Sequence, residues 1–148
     1  MIHKTSRAVI IKDEHILLAF DPRPEQSHYY ELGAQFYYLP GGHIEEGESP
    51  ENALVRELKE ELGLDSQVKG LLGTVEHIWG FTGDEVCCHT HENNFVFKAE
   101  VQGLLSQTIP PMQEEHVSFK WVALEALKEV DLRPEAVKNL VLAKHETC

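Results

Sequence analysis

Glu57, Glu60 and Glu61 stand close together in the segment "RELKEEL". If that segment is helical, the three carboxylates fall within an arc of roughly 100° on one face. Like charges at this spacing weaken an isolated helix. The same oxygens can offer several ligands to a hard divalent cation, Mg²⁺ or Mn²⁺. Such an ion neutralises phosphate charge and makes a water acidic enough to attack. The plainer alternative is a solvated helix face, since Glu and Lys are good helix formers and charge runs commonly point at water.

The surroundings favour a site. Leu54, Val55, Leu58 and Leu62 form a second arc centred roughly 115° from the acids, so the acids lie along the edge of the buried stripe and can line a cleft beside the core. Arg56, four residues before Glu60, can partner it. Gly41, Gly42 and Gly47 allow the backbone close to an ion or a phosphate, and a carbonyl there can add a ligand. Ser49 suits a helix cap, Pro50 the first helical position, Glu51 the positive end and Gly63 the C-terminal stop.

Read from Gly42, the chain runs Gly, five residues, Glu48, seven residues, then Arg56-Glu57-Leu58-Lys59-Glu60-Glu61-Leu62-Gly63-Leu64, preceded by Leu39-Pro40-Gly41. This resembles the Nudix box, G-x5-E-x7-R-E-U-x-E-E-x-G-U with U apolar, at every fixed position. So many fixed positions make the match far more specific than a lone glycine fingerprint. The resemblance to MutT-like Nudix hydrolases implies an α/β/α sandwich with a mixed central sheet, in the α/β (α+β) class. It implies hydrolysis of a nucleoside diphosphate linked to another moiety, by water attack on phosphorus with Mg²⁺ or Mn²⁺ as cofactor. By that similarity Glu57, Glu60 and Glu61 hold the metal with the Gly41 carbonyl, and Glu60 counts among the catalytic groups. Arg56 positions Glu57 or its neighbours, with Glu48 and Gly42 supporting from behind. The base varies across the family between a box glutamate and an acid in the loop before the last strand. Here that loop holds Glu114 and Glu115, and Glu115 is the favoured candidate; both residues also read as solvated loop acids.

Substrate contacts are less legible. On a regular strand His89, His91 and Asn93 share a face with Phe95 and Phe97, which places them on the cleft floor or leaves them as core or strand-end residues. Trp79 and Phe81 can stack on a base or simply pack. Cys87, Cys88, His89 and His91 invite a zinc reading, but their spacing lacks the separated ligand pairs of structural zinc sites. Neither the proline that marks ADP-ribose hydrolases nor the tyrosine that marks diadenosine polyphosphate hydrolases follows the box; Trp79, Gly80 and Phe81 stand there. No coenzyme A or NADH signature is visible.

These residues need elements to hold them. Residues 7–20 read as a β-hairpin around Lys12-Asp13-Glu14, 21–33 as a surface loop, and "QFYYLP" as a strand ending at Pro40. The box helix follows and ends near Leu62. "QVKGLLGTVEHIWGF", "NNFVFKAEVQ" and "HVSFKWVAL" read as strands, and 124–130 and 134–145 as helices. Strands, an internal helix, more strands and a terminal helix make a mixed sheet with helices packed on it. Residues 1–148 are expected to form one domain.

The net charge of −12 argues against binding a nucleic-acid backbone and leaves a small-molecule nucleotide as the expected partner. No apolar run is long enough to span a bilayer, and the start reads as a strand rather than a signal peptide, so a cytoplasmic location is expected. Three cysteines, two of them adjacent, suit reduced thiols. Whether the chain forms a homodimer stays open. The competing functional readings are a catalytically silent nucleotide-sensing module of the same fold and a structural domain whose helix is merely acidic.

Overall fold

The structure is a computed structural model that describes residues 3–23, 36–78, 91–105 and 108–146. A four-stranded mixed sheet runs β4-β1-β6-β5, from β1 (His3–Val9), β4 (Gly41–His43), β5 (Ser66–Ile78) and β6 (His91–Val101). β1 is parallel to β6 and antiparallel to β4. A second, antiparallel sheet runs β2-β3-β7, from β2 (Ile11–Lys12), β3 (His15–Phe20) and β7 (Ser118–Ala123). The chain passes from the first sheet to the second at Ile10. It then reverses through Asp13 and Glu14, both in the left-handed region (φ 49° and 61°), the geometry of a tight two-residue hairpin.

Two helices cover opposite faces. Helix α1 (Pro50–Leu62) contributes Leu54, Leu58 and Leu62 to one core cluster, and α2 (Glu135–Glu146) contributes Val137 and Val141 to the other. Consecutive strand residues divide between them: Leu17 and Phe97 belong to the first cluster, Ile16 and Val96 to the second. A strand buried on both faces needs an unbroken apolar run, which explains "HILLAF" in β3. The arrangement is the expected α/β/α sandwich. A 3-10 helix (Leu124–Glu129) stands where a helix was read over 124–130. No helix among the described residues is long and apolar enough to cross a membrane.

Two expectations are corrected. The aromatic segment before Pro40 is not a strand, because Tyr38 makes a single bridge to Ala19 and Tyr37 a single bridge to Leu132. Its hydrogen bonds are shared between two partners, and the strand forms after the proline, at Gly41–His43. The buried stripe of α1 is also turned toward the acids: Ala53 and Glu61 are inside, while Val55 is 37% exposed.

Candidate active site

The box helix starts and stops as its residues dictate. Ser49 Oγ accepts from the Asn52 amide at 3.1 Å, Pro50 takes the first helical position, and Gly63 ends the helix with φ 73°. Ser6 Oγ donates to the Pro50 carbonyl at 2.7 Å and ties β1 to the start of the helix. Gly41 packs against β1 so closely that a Cβ would lie 1.9 Å from the Ser6 carbonyl oxygen, and its φ of 138° excludes other residues. At Gly42 the space a Cβ would fill is taken by the Glu57 carboxylate, 2.5 Å from that point.

Arg56 is the hub. Its Nε donates to Glu48 Oε2 at 2.7 Å and its Nη2 to Glu48 Oε1 at 3.0 Å, a two-pronged pair. Nη2 also donates to the His43 carbonyl at 2.9 Å, while Nη1 reaches Glu57 at 3.1 Å and Glu60 at 3.3 Å. The hydrogen bond from Arg56, helped by the Glu45 amide, holds the Glu48 carboxyl down at about 2. The Glu48 bond in turn raises the guanidinium above its usual range.

Glu57 and Glu61 respond differently. Burial pushes both carboxyls up, with Arg56 opposing at Glu57 and Arg7 opposing at Glu61. Glu61 is 4% exposed, accepts from the Gly41 amide at 3.4 Å, and is pushed up to about 8. Glu60 is half exposed. Arg56 lies between Glu57 and Glu60, and among the described residues no three acid, histidine or cysteine side chains converge on one point. Arg56 thus stands as the counter-charge that lets the acids share a face.

A cleft of about 550 Å³ opens beside these groups, lined by Glu57, Glu60 and Glu61 and by Gly41 and Gly42. It extends across β4 and β1 to the start of α2. Of the two loop acids, Glu114 lines it, with His116 Nε2 3.0 Å away, and its charge acts on Glu61. Glu115, the acid favoured from sequence, is 92% exposed and outside the lining, 3.8 Å from Arg23. Its neighbour takes the inward place.

His91 and Asn93 do not line the cleft; Glu92 and Asn94 do, and they are 2% and 1% exposed. The reason is strand alternation. On β6 the face that carries Phe97 packs toward α1, whereas Glu92 and Asn94 share the face that carries Val96 and packs toward α2. His91 is paired with Glu76 at 3.4 Å. Trp79, Phe81, His89 and the cysteines Cys87 and Cys88 lie outside the described residues.

Several cleft residues escaped the sequence reading. Arg7 lines the cleft and donates to the Leu39 carbonyl at 3.3 Å. Arg133 is stacked 4.6 Å over the Phe36 ring and held by Asp131 through two bonds of 3.0 Å. A lone arginine opening the apolar run "RAVII" and the polar pair Glu92 and Asn94 ahead of "FVF" were the available signals. Nothing local links Arg133 to Phe36.

Clustered carboxylates, glycines that make room for them and a partly apolar cleft define the class: an α/β/α sandwich with an acid-lined pocket. The NUDIX domain family model matches residues 2–141, and the chain belongs to that family. It is 44% identical over 70 residues to the 8-oxo-dGTP diphosphatase of Proteus vulgaris, covering 47% of this chain and 59% of that protein. It is 46% identical over 61 residues to the CTP pyrophosphohydrolase of Escherichia coli, covering 41% of each. The matched region thus spans about half the length of these relatives. The fold resembles that of a NUDIX hydrolase from Nitrosomonas europaea with a TM-score of 0.74, covering 99% of this chain and 90% of that one at 22% identity.

Proposed function

We propose that the chain is a metal-dependent pyrophosphohydrolase that cleaves the diphosphate linkage of a nucleoside diphosphate joined to another moiety. The observation that carries this reading is the placement of Glu57, Glu60, Glu61 and Glu114 along one cleft. An all-oxygen donor set suits Mg²⁺ or Mn²⁺, and the Glu57 carboxylate already occupies the space left by Gly42. Glu57, Glu60 and Glu61 would hold the ion, with the Gly41 carbonyl as a further oxygen, once their side chains turn from Arg56 toward a common point. When bound, the cation supplies the charge that neutralises the diphosphate and acidifies a water.

The chain's own groups do the rest. Glu48 locks the Arg56 guanidinium, and Arg56 in turn orients Glu57 and restrains Glu60. Glu114 accepts the proton of the attacking water at a carboxylate oxygen, and His116 fixes its side chain. The new bond joins water oxygen to phosphorus, the bridging P–O bond breaks, and a nucleoside monophosphate and a phosphorylated remainder leave. Arg7, at the cleft wall, offers its positive charge to the phosphates.

The two named relatives differ in substrate, which supports the coarse class and not a particular base. The test is a panel of nucleoside diphosphate derivatives and nucleoside triphosphates with Mg²⁺, run on the native chain and on Glu60→Gln. Cleavage to a monophosphate that falls by two orders of magnitude or more in the variant supports the reading. Tight nucleotide binding with no turnover of any compound contradicts it and favours a sensing module.

A further inference from the structure

Glu114 sits on a stretch of chain with no helix or strand to hold it. Residues 108–117 lead into β7 without regular structure. Their backbone bonds are local: the Thr108 amide donates to the Leu105 carbonyl and the Val117 amide to the Glu114 carbonyl, each at 3.3 Å. Among the described residues, one hydrogen bond joins this stretch to a regular element, and it comes from a side chain. The Trp121 indole Nε1, on β7, donates to the Thr108 carbonyl at 2.8 Å. The other polar link is the pair of Arg23 and Glu115 at 3.8 Å, and Glu115 is 92% exposed, where an ion pair restrains little.

The donor is rigidly placed. Trp121 is half-buried, packs against the core cluster that contains Leu54, Leu58 and Leu62, and lies opposite Leu17 of β3. The anchored carbonyl is followed by Ile109 and then by Pro110 and Pro111, with Pro110 buried. Each proline fixes its own φ and narrows the choices of the residue before it, so few torsions are free between the anchor and the residues that follow. Gln113 then crosses the end of α1, where a Cβ on Gly63 would lie 3.4 Å from its side chain. Glu114 comes next and lines the cleft.

We infer that Trp121 is a positioning residue: its indole N–H holds the Thr108 carbonyl and, through the proline pair, sets where the Glu114 carboxylate stands in the cleft. The inference deepens the proposed hydrolysis and rests on it, since the position of Glu114 affects the rate where Glu114 takes the proton of the attacking water.

The test is a double-mutant cycle between Trp121→Phe and Glu114→Gln, with kcat and KM measured at saturating Mg²⁺. Phenylalanine keeps an apolar ring and loses the donor. Trp121→Phe should lower kcat about tenfold to a hundredfold, the scale of a displaced catalytic group, with KM within about twofold. In the Glu114→Gln background the same substitution should change kcat by less than about twofold, because the group it acts through is gone. A purely structural role would lower the rate equally in both backgrounds. Incorporating 3-benzothienylalanine in place of Trp121 keeps the bicyclic ring and exchanges N–H for sulfur; it should reproduce the loss without the packing change. Amide hydrogen exchange read by mass spectrometry follows the loop without turnover: residues 112–117 should exchange about tenfold faster in both replacements, with α1 and β6 unchanged. Unchanged kcat, equal losses in the two backgrounds, or unchanged loop exchange would overturn the inference. Faster loop exchange in a chain that hydrolyses no compound would sink the hydrolase reading and leave the anchoring by Trp121 standing.

Discussion

The Arg56 guanidinium couples Glu48 to the acidic face of α1: Nε donates to Glu48 at 2.7 Å, while Nη1 reaches Glu57 at 3.1 Å. One planar group thereby sets the direction of a carboxylate proposed to bind the cation.

Lysine cannot reproduce a forked contact with several partners. Arg56→Lys should therefore lower kcat by about one to two orders of magnitude, the scale of losing supports around a metal ligand. KM should change less. Steady-state kinetics at saturating Mg²⁺ check this, with a thermal melt to show that the fold persists.

The pair also gives a signature in acid. Glu48 has a folded-state value of about 2 against an ordinary carboxylate value of 4.5, so the folded form favours the ionised group. Its contribution to stability is complete above the ordinary value and disappears as pH falls through about 2. Urea unfolding of the native chain and Glu48→Gln should show a stability gap at pH 6 that narrows steadily between pH 4.5 and 2.

Glu61 has the opposite sign. Burial pushes it up to about 8, so the cation-free folded chain binds a proton there that the unfolded chain releases near 4.5. Stability contributed by the neutral group is full below 4.5 and is lost as pH rises through 8. Melts in EDTA should be lower at pH 8.5 than at pH 6, and Glu61→Gln should remove most of the difference. Cation binding needs the ionised form. Mn²⁺ titrated into a weakly buffered solution at pH 7 should therefore release close to one proton from the native chain and almost none from the variant.

The paired glycines separate fold from chemistry. A methyl at position 41 would meet the Ser6 backbone at 1.9 Å in a φ region barred to alanine, so Gly41→Ala should cost about 3 kcal/mol or more, measurable by urea unfolding. At position 42 the obstacle is the Glu57 carboxylate, which can swing away. Gly42→Ala should change stability by about 1 kcal/mol or less yet weaken Mn²⁺ binding roughly tenfold.

The two loop acids give a direct comparison. Glu114→Gln should lower kcat about a hundredfold or more, the usual scale for a general base. Glu115→Gln, at a side chain 92% exposed, should stay within about twofold.

Much of this was readable from local patterns. Ser49 and Pro50 start the helix and Gly63 stops it through contacts within a turn of each end, so the helix followed from local residues, whereas its buried stripe is turned further toward the acids than spacing alone indicated. Legibility failed where distance or phase decided. Whether Glu92 or Asn93 faces the cleft depends on which side of β6 the helices pack, and a one-residue phase change swaps the faces. Glu114 and Glu115 differ only in loop direction, which has no periodicity to read. The "QFYYLP" segment has strand composition, but its partners divide between Ala19 and Asp131. The Arg133 and Phe36 stack joins segments that only the folded chain brings together.

The central claim is that the α1 acids hold a cation that drives diphosphate cleavage. It is tested most directly by the initial rate on the best substrate as a function of free Mg²⁺, in the native chain and in Glu57→Gln. The account predicts no rate in EDTA, a saturable rise with Mg²⁺ for the native chain, and a rate at least about a hundredfold lower in the variant. A rate that persists in EDTA, or that is unchanged by Glu57→Gln, would contradict it.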